Sequence, residues 1–599
     1  MLSTLQEAVA LGELRSVDLH LASFLARIGG SEVEPACLST AALACKAVGE
    51  GHVCLPLSAI AEKTVFNTAQ SHSLPPVQEL KESLLRWPVV GHPGQNTPLI
   101  LDEHNRLYLA RYYVYEQQLA AKLIAMAIPL EEPDLDKARQ ALDQLFPPVQ
   151  EIDYQKIAAA MVLLQRIVVI SGGPGTGKTH TVSNILALLA IMSHKPLRIG
   201  LAAPTGKAAA RLGESLRLAW DKLPADCPAV LPETPRTLHR LLGVSPGSLK
   251  FRHNRDNPLL LDLLILDEAS MIDVPLMAAL FDALLPQTRL IILGDRNQLA
   301  SVEAGSLFAD LCGPELPAWS APLTKKLSTL TGHTVINGQG GGLRDSVVML
   351  QQSFRFQEKS GIGRLVEAVK NNQPQGVEQV LNSDFDDLEL LEETGNRFDG
   401  NHTKMILEGF TSCLQAESAQ KGLENYSRFR ILCALREGPR GVGGVTRQVE
   451  SLLRRHKLIP PPDRFYYKGR PIMILRNHYG LQLFNGDTGI IWPDEHNRLQ
   501  AWFMREDGKP VPISPARLPQ HETAYAITVH KSQGSEFDHV LFMLPQEDNR
   551  LLSRELLYTG ISRAKLKLSL CADREILRTG LARRIHRHSG LAEKLSSTS

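Results

Sequence analysis

Ten residues, Gly172 to Thr181, constrain the fold more than any other part of this chain. They read GGPGTGKTHT, with Gly172, Gly177, Lys178 and Thr179 in the fixed places of G-x-x-x-x-G-K-[ST]. The run before them, Arg166 to Ser171, is rich in β-branched residues and predicts a buried strand. The run after them, Val182 to Met192, is apolar and predicts a helix. Strand, glycine loop and helix in that order build a phosphate cradle. The loop residues Gly172, Gly173, Pro174, Gly175, Thr176 and Gly177 wrap the anion, and N–H groups there and at Lys178, Thr179 and His180 point towards it. Lys178 supplies a point charge to the outer phosphates, and the Thr179 hydroxyl can ligate Mg²⁺. The chain is therefore expected to bind a nucleoside triphosphate on an α/β domain.

At 599 residues the chain exceeds one core and predicts about four domains. Hydrophobic residues make up 43% and charged residues 22%, a globular balance, and no apolar run approaches the ~18 residues of a membrane span. The first residues carry Glu7, Glu13 and Asp18 and read as amphipathic helix rather than signal peptide. Eight cysteines, at 37, 45, 54, 227, 312, 413, 433 and 571, form no C-x-x-C, which argues against a zinc or iron–sulfur site and for a reducing compartment. The net charge of +1 hides a split: residues 1–150 carry −6 and the remainder +7. Two surfaces with different partners are expected.

Residues 1–145 read mostly helical, with a hairpin over 98–109, and Pro147-Pro148 marks a boundary. From about 150 to 350, apolar strands at 167–170, 197–203, 261–266 and 290–293 alternate with helices, the pattern of a parallel sheet. A second α/β region starts near Leu350. A strand-rich insert interrupts it from about 440 to 515, and it resumes near Thr523. The tail is basic from Arg578 to His588, then Ser/Thr-rich, and is expected to fray.

The strand Leu263 to Leu266 runs straight into Asp267-Glu268. A carboxylate at that strand end, Asp267, can hold Mg²⁺ through water. Glu268 is placed to orient or deprotonate an attacking water. A further strand, Ile291 to Leu293, leads into Gly294-Asp295-Arg296-Asn297-Gln298, whose glutamine can reach the γ-phosphate.

From this point the chain resembles the superfamily 1 helicases. Pro204-Thr205-Gly206-Lys207 and Thr237-Leu238-His239 resemble that family's motifs for single-stranded DNA. Ser353-Phe354-Arg355-Phe356 resembles the motif whose arginine reaches the γ-phosphate from a second motor domain. Thr528-Val529-His530-Lys531 through Glu536 resembles the motif that links DNA to nucleotide, so the resemblance implies DNA contacts at Thr528 and His530 and a nucleotide contact at Glu536. Tyr558 to Ala564 resembles the last motif, with Arg563 as second arginine, and Gln155 stands where such enzymes read the adenine edge. A kinase or a structural ATPase has no use for these DNA-gripping motifs.

Within that superfamily the chain resembles the RecD family, the α subunits of the RecBCD helicase–nuclease (exonuclease V). Asn257-Pro258-Leu259 before DEASMID, Gly361-Ile362-Gly363 behind SFRF and Phe484-Asn485-Gly486-Asp487-Thr488-Gly489 carry that likeness. It implies an α/β fold of two RecA-like P-loop motor domains, at 146–349 and 350–599. The helical N-terminal domain, 1–145, is expected to dock on RecC, and the β-rich insert lies in the second motor. It also implies ATP and Mg²⁺, partners RecB and RecC, DNA double-strand ends as substrate, 5′→3′ movement and a cytoplasmic setting, nucleoid-associated through DNA. No D…E-x-K cluster stands outside the motor motifs, so the complex's nuclease is expected in RecB. The alternative is a stand-alone RecD-like 5′→3′ helicase, which would carry helix–hairpin–helix elements in a longer front region; residues 1–145 contain none.

Overall fold

A computed structural model describes residues 2–596 apart from 31–32, 69–70, 194, 221–233, 245–249, 302, 314–317, 336–337, 339, 357–359, 393–397, 399 and 506–507. The β-branched run before the glycine loop forms the strand Ile167–Gly172, buried along its whole length. It lies inside a six-stranded parallel sheet ordered 347–350, 167–172, 289–294, 263–266, 199–203, 236–237. Parallel strands need crossovers that cover both faces, and side chains alternate between those faces. Ile167, Val169, Leu264, Leu266, Leu290 and Ile292 accordingly join one core. Val168, Ile170, Leu263, Ile265, Ile291 and Leu293 join the other.

Helices Ala110–Met126 and Val274–Ala283 pack together over the first face. Helices Leu135–Leu145, Tyr154–Leu164, Lys178–Met192 and Ala321–Thr331 cover the second. The front region's separate core runs from Leu5 to Leu107 and includes a small sheet ordered 55–56, 106–109, 99–101, 90–91, with the expected hairpin. The boundary expected at 145 therefore lies too far along the chain. An amphipathic helix declares that it has a partner without saying which, and the two helices after Leu109 pack on the first parallel sheet.

The second sheet is also parallel, ordered 388–391, 564–571, 537–543, 429–433, 526–528. The insert is a five-stranded antiparallel sheet ordered 510–513, 499–504, 488–493, 471–474, 521–523. Ile472, Ile474, Leu483, Ile491, Ala501 and Phe503 fill its own core. The insert thus occupies about 471–523 rather than 440–515. Residues 442–455 are a helix, Val442–Arg455, packed on the strand Ala526–Thr528. The glycines at 441, 443 and 444, which look like insert punctuation, lie at the start of that helix.

Through Ser596 the tail is anchored, and residues 597–599 of its Ser/Thr-rich end lie outside the described residues. Leu591–Ser596 is a helix lying on Ala110–Met126, and Leu591 is 1% exposed. Buried Glu116 accepts hydrogen bonds from Ser589 Oγ (2.9 Å), Gly590 N (2.9 Å) and Lys594 Nζ (2.6 Å). Cys37, Cys45 and Cys54 are core thiols as expected, and burial pushes each up to about 12; Cys227 lies outside the described residues. Among the described residues no helix is long and apolar enough to cross a membrane.

Candidate nucleotide and DNA site

The glycine loop turns through two left-handed residues, Gly175 (φ +77) and Gly177 (φ +79), and the helix begins at Lys178. That conformation is strained for a residue with a Cβ. A Cβ on Gly177 would also stand 2.4 Å from Gln155 Nε2, and one on Gly175 2.3 Å from Arg355 Cβ. Lys178 Nζ folds back on the carbonyls of Gly172 (2.5 Å) and Gly173 (3.2 Å), across the mouth of the loop.

Gln155 sits in the first turn of its helix, where Asp153 accepts from the N–H groups of Gln155 and Lys156. Its amide donates to Thr176 O at 3.0 Å, and His180 Nδ1 lies 3.4 Å from its Oε1. These residues border a cavity of about 280 Å³ lined by Ile152, Tyr154, Gln155, Thr176, Leu350 and Phe354. Phe354 is 65% exposed. In the sequence this ring has no signal beyond its place beside Arg355. Phe354 N donates to Gly175 O (2.8 Å), and Ser353 Oγ to Pro174 O (3.3 Å), so this motif leans directly on the loop.

Asp267 and Glu268 follow the strand 263–266, which is separated from the loop's own strand by 289–294. Glu268 holds φ +51, a left-handed conformation uncommon for a side-chain-bearing residue, and its N–H donates to Asp267 Oδ1 at 2.8 Å. Such outliers gather at functional sites. Burial raises the Asp267 pKa, the Glu268 carboxylate adds to the rise, and Lys178 opposes it.

Gln298 and Tyr558 both donate to Asp295 Oδ2, at 3.3 Å and 2.8 Å. Buried Gln298 Oε1 has no partner among the described residues. The two motor domains meet here: Leu299 N donates to Thr559 Oγ1 (3.0 Å), and Gln533 Nε2 to Leu299 O (2.8 Å).

Glu536 accepts from Arg355 at 2.6 Å and also pairs with Arg211. Burial works against ionisation of Glu536, but the two guanidinium groups overcome it and pull the carboxyl down to about 2. Arg563 donates to Thr559 O and Ser535 O, each at 3.1 Å. Burial lowers its pKa, with Glu268 and Glu536 opposing. One guanidinium nitrogen of each arginine, Arg355 Nη1 and Arg563 Nη2, is buried without a partner among the described residues. A buried unsatisfied donor is costly unless a ligand completes it.

The six residues expected on DNA lie at or just beyond the C-terminal ends of three strands, 199–203, 236–237 and 526–528. Thr205, Thr237 and Thr528 each accept from a backbone N–H three residues on, Ala208 (3.2 Å), Arg240 (3.3 Å) and Lys531 (3.3 Å). Pro204 precedes the first of these turns. Burial lowers the pKa of His239 and His530, favouring neutral rings, and His239 packs edge-on to Phe251. The insert reaches this line of residues. Phe484 lies 5.1 Å from the Arg240 guanidinium carbon, and a Cβ on Gly206 would be 2.9 Å from the ring. Lys531 Nζ donates to Asn485 Oδ1 at 2.6 Å.

Residues 10–108 match the family model described as RecBCD enzyme subunit RecD, N-terminal domain. Residues 155–304 match an AAA domain, and 523–571 a UvrD-like helicase C-terminal domain. The RecBCD enzyme subunit RecD of Mycobacterium tuberculosis is 37% identical, covering 98% of this chain and 96% of its own length. That of Haemophilus influenzae is 35% identical, covering 77% and 75%. The ATP-dependent RecD2 DNA helicase of Deinococcus radiodurans is 30% identical, over 71% of this chain but 51% of its own. A solved Pif1 from Bacteroides bound to ssDNA covers 72% of this chain and 94% of its own at 16% identity and TM-score 0.36, a likeness too loose to argue from. The chain belongs to the RecD family of RecBCD enzyme subunits and is an ATP-dependent DNA helicase.

Proposed function

We propose that this chain is the 5′→3′ single-stranded DNA motor of a complex with RecB and RecC, opening duplexes from double-strand ends for recombinational repair and degradation. The observation that carries the reading is the pair of unsatisfied buried guanidinium nitrogens on Arg355 and Arg563. They belong to residues that pack against the glycine loop and against the helix contacting Asp295. An incoming γ-phosphate would complete both and spread its transition-state charge over them. Lys178 would leave the loop carbonyls for the outer phosphates. Glu268 would orient and deprotonate the attacking water, and Gln298 would sense the γ-phosphate. Adenine would lie in the cavity between Gln155 and Phe354, its edge read by the amide and its face covered by the ring.

The residues present suit Mg²⁺. Asp267 is a desolvated carboxylate beside a second carboxylate, an environment that favours a cation, and Thr179 stands in the first turn of the loop helix. These two would hold the ion, which neutralises charge on the transferred phosphoryl group. Loss of the γ-phosphate would free Arg355 and Arg563 and let the domains part. Pro204, Thr205, Thr237, His239, Thr528 and His530 would carry that motion to DNA through phosphate and sugar contacts, which position a strand without reading sequence.

We assign RecC docking to the front domain, whose −6 charge through residue 150 suits a protein partner better than a polyanion. The span of the RecD relatives, matched almost end to end, favours the complex over a stand-alone enzyme. Unwinding of 5′- and 3′-tailed duplexes tests polarity, with the complex carrying Lys178→Ala as background so that only turnover driven by this chain is counted. A requirement for the 5′ tail is expected; preference for the 3′ tail overturns the assignment.

A further inference from the structure

We propose that Arg587, on the C-terminal strap, is a positioning residue that holds the loop after Gln298 and thereby couples ATP turnover to DNA. The strap leaves the second motor at residues 583–585. Ile585 N donates to Glu555 Oε2 (3.0 Å) on the helix Arg554–Ile561, the same helix that carries Tyr558 to Asp295 and Thr559 to Leu299. Two residues later Arg587 turns into the first motor. It donates to the carbonyl oxygens of Glu303 and Gly305, each at 2.7 Å, and to that of Ser301. These carbonyls belong to the stretch that begins at Leu299, directly after Gln298.

The stretch is thus held at both ends by the second motor's chain. Thr559 and Gln533 hold Leu299, and Arg587 holds Ser301, Glu303 and Gly305. The front region closes over the same point. Gly305 N donates to Gly51 O (2.8 Å), and a Cβ on Gly51 (φ +93) would stand 2.8 Å from Arg587 Cζ. Beyond it, Val53 N donates to His588 O (2.8 Å) and His588 N to His52 Nδ1 (3.0 Å). All three major parts of the chain therefore meet at one guanidinium.

Its bonding separates this arginine from an ordinary staple. Burial lowers its pKa, and no carboxylate pairs with it among the described residues. A desolvated cation held by three carbonyls and, at 3.5 Å, the Ser301 hydroxyl is a costly way to pin a loop. Three convergent carbonyls also fix the curvature of the loop backbone, which a side-chain ion pair on its surface would not do. When the second motor shifts on loss of the γ-phosphate, Thr559 and Arg587 must move the loop together or release it together. The loop, and Gln298 with it, then reports domain position to the nucleotide.

This inference rests on Gln298 sensing the γ-phosphate, and the experiment separates the two. ATP turnover of the full chain in its complex, above a Lys178→Ala background, is measured with and without single-stranded DNA for Arg587→Ala, Arg587→Gln and Gln298→Ala. For Arg587→Ala the ratio of DNA-stimulated to DNA-free turnover is expected to fall about ten-fold. DNA-free turnover and KM for ATP should stay within about two-fold of the parent. A merely structural role would lower both turnovers together and leave the ratio unchanged, and that result overturns the proposal. If Arg587→Ala does not fold, Arg587→Gln decides: it keeps one amide donor, and a parental ratio there is equally fatal. If Gln298→Ala keeps the parental ratio, the sensing role fails. If Gln298→Ala loses the ratio and the Arg587 variants keep it, only the present inference fails.

Discussion

The two motor sheets contain the same unit and use it differently. In the first, the buried strand Ile167–Gly172 leads through a glycine loop into Lys178–Met192. In the second, the buried strand Phe429–Cys433 leads through residues 434–441, ALREGPRG, into Val442–Arg455. The second loop also has glycines, yet it closes on itself. Gly441 N donates to Gly438 O (3.1 Å), Val442 N to Leu435 O (3.1 Å) and Gly443 N to Arg436 O (3.2 Å). The N–H groups that would face an anion are turned inward to the loop's own carbonyls, and no Lys-[ST] follows. Fold alone does not make the nucleotide site; a lysine and an open ring of N–H groups do. The second sheet contributes Arg563 instead, directly before its strand 564–571.

The largest expected effect tests the first loop. Lys178→Ala should lower DNA-dependent ATP turnover by about a thousand-fold or more, since a charge on the outer phosphates is lost, while thermal unfolding stays near the parent. Near-normal turnover would erase the distinction between the loops. Glu268→Gln should follow, losing about a hundred- to ten-thousand-fold in turnover because an amide is no base. ATP and DNA affinity should remain, as equilibrium binding would show; a collapse of nucleotide affinity would make Glu268 structural.

Paired glycine substitutions sharpen the comparison. Gly177→Ala forces a Cβ into a left-handed residue 2.4 Å from Gln155 Nε2, and should raise KM for ATP about ten-fold. Gly441→Ala places its Cβ 2.1 Å from Glu437 O and should cost about 1–3 kcal/mol of stability with KM unchanged. Denaturant titration and ATP kinetics on both variants distinguish the outcomes. The same effect on both would mean that the loops do the same work.

The smallest effect concerns pH. His539, on the second sheet beside Lys567 and Glu389, is pushed by burial, with Lys567 adding, from 6.5 down to about 4. Its folded pKa lies below its unfolded one, so the unfolded chain binds the proton first. Its contribution is flat above about 6.5 and destabilises progressively as pH falls towards 4. The Tm of His539→Phe should decline less over that window than the parent's.

What the sequence made legible was local. The glycine loop, the Asp267-Glu268 strand end and the core strands of the first sheet each announce themselves within a few residues. What it hid depended on distant partners. Glu116 and Ser589 are 473 positions apart and hydrogen-bonded, so a basic tail that reads as frayed is anchored. Helix Ala110–Met126 has an apolar face that fits either neighbour, and only packing assigns it. Phe354 is one of two phenylalanines in SFRF, and only the fold brings it beside Gln155.

The insert has a consequence for how such a chain can change. Its first and last strands are hydrogen-bonded neighbours, with Ile472 opposite Thr523. Paired residues of an antiparallel ladder lie about 4.5–5.5 Å apart. The chain therefore enters and leaves the insert at adjacent ends, while Ile490 and Trp492 between them pack on the second motor. Chain can be added to or removed from such a module at little entropic cost, because closure grows only slowly with length. Its small core is built from residues of the insert, with Tyr466 of the host packed at its edge. A turn grafted between Ile472 and Thr523 would also remove Ile490 and Trp492 from the second sheet's core, so a replacement module on the same two ends must cover that face as well.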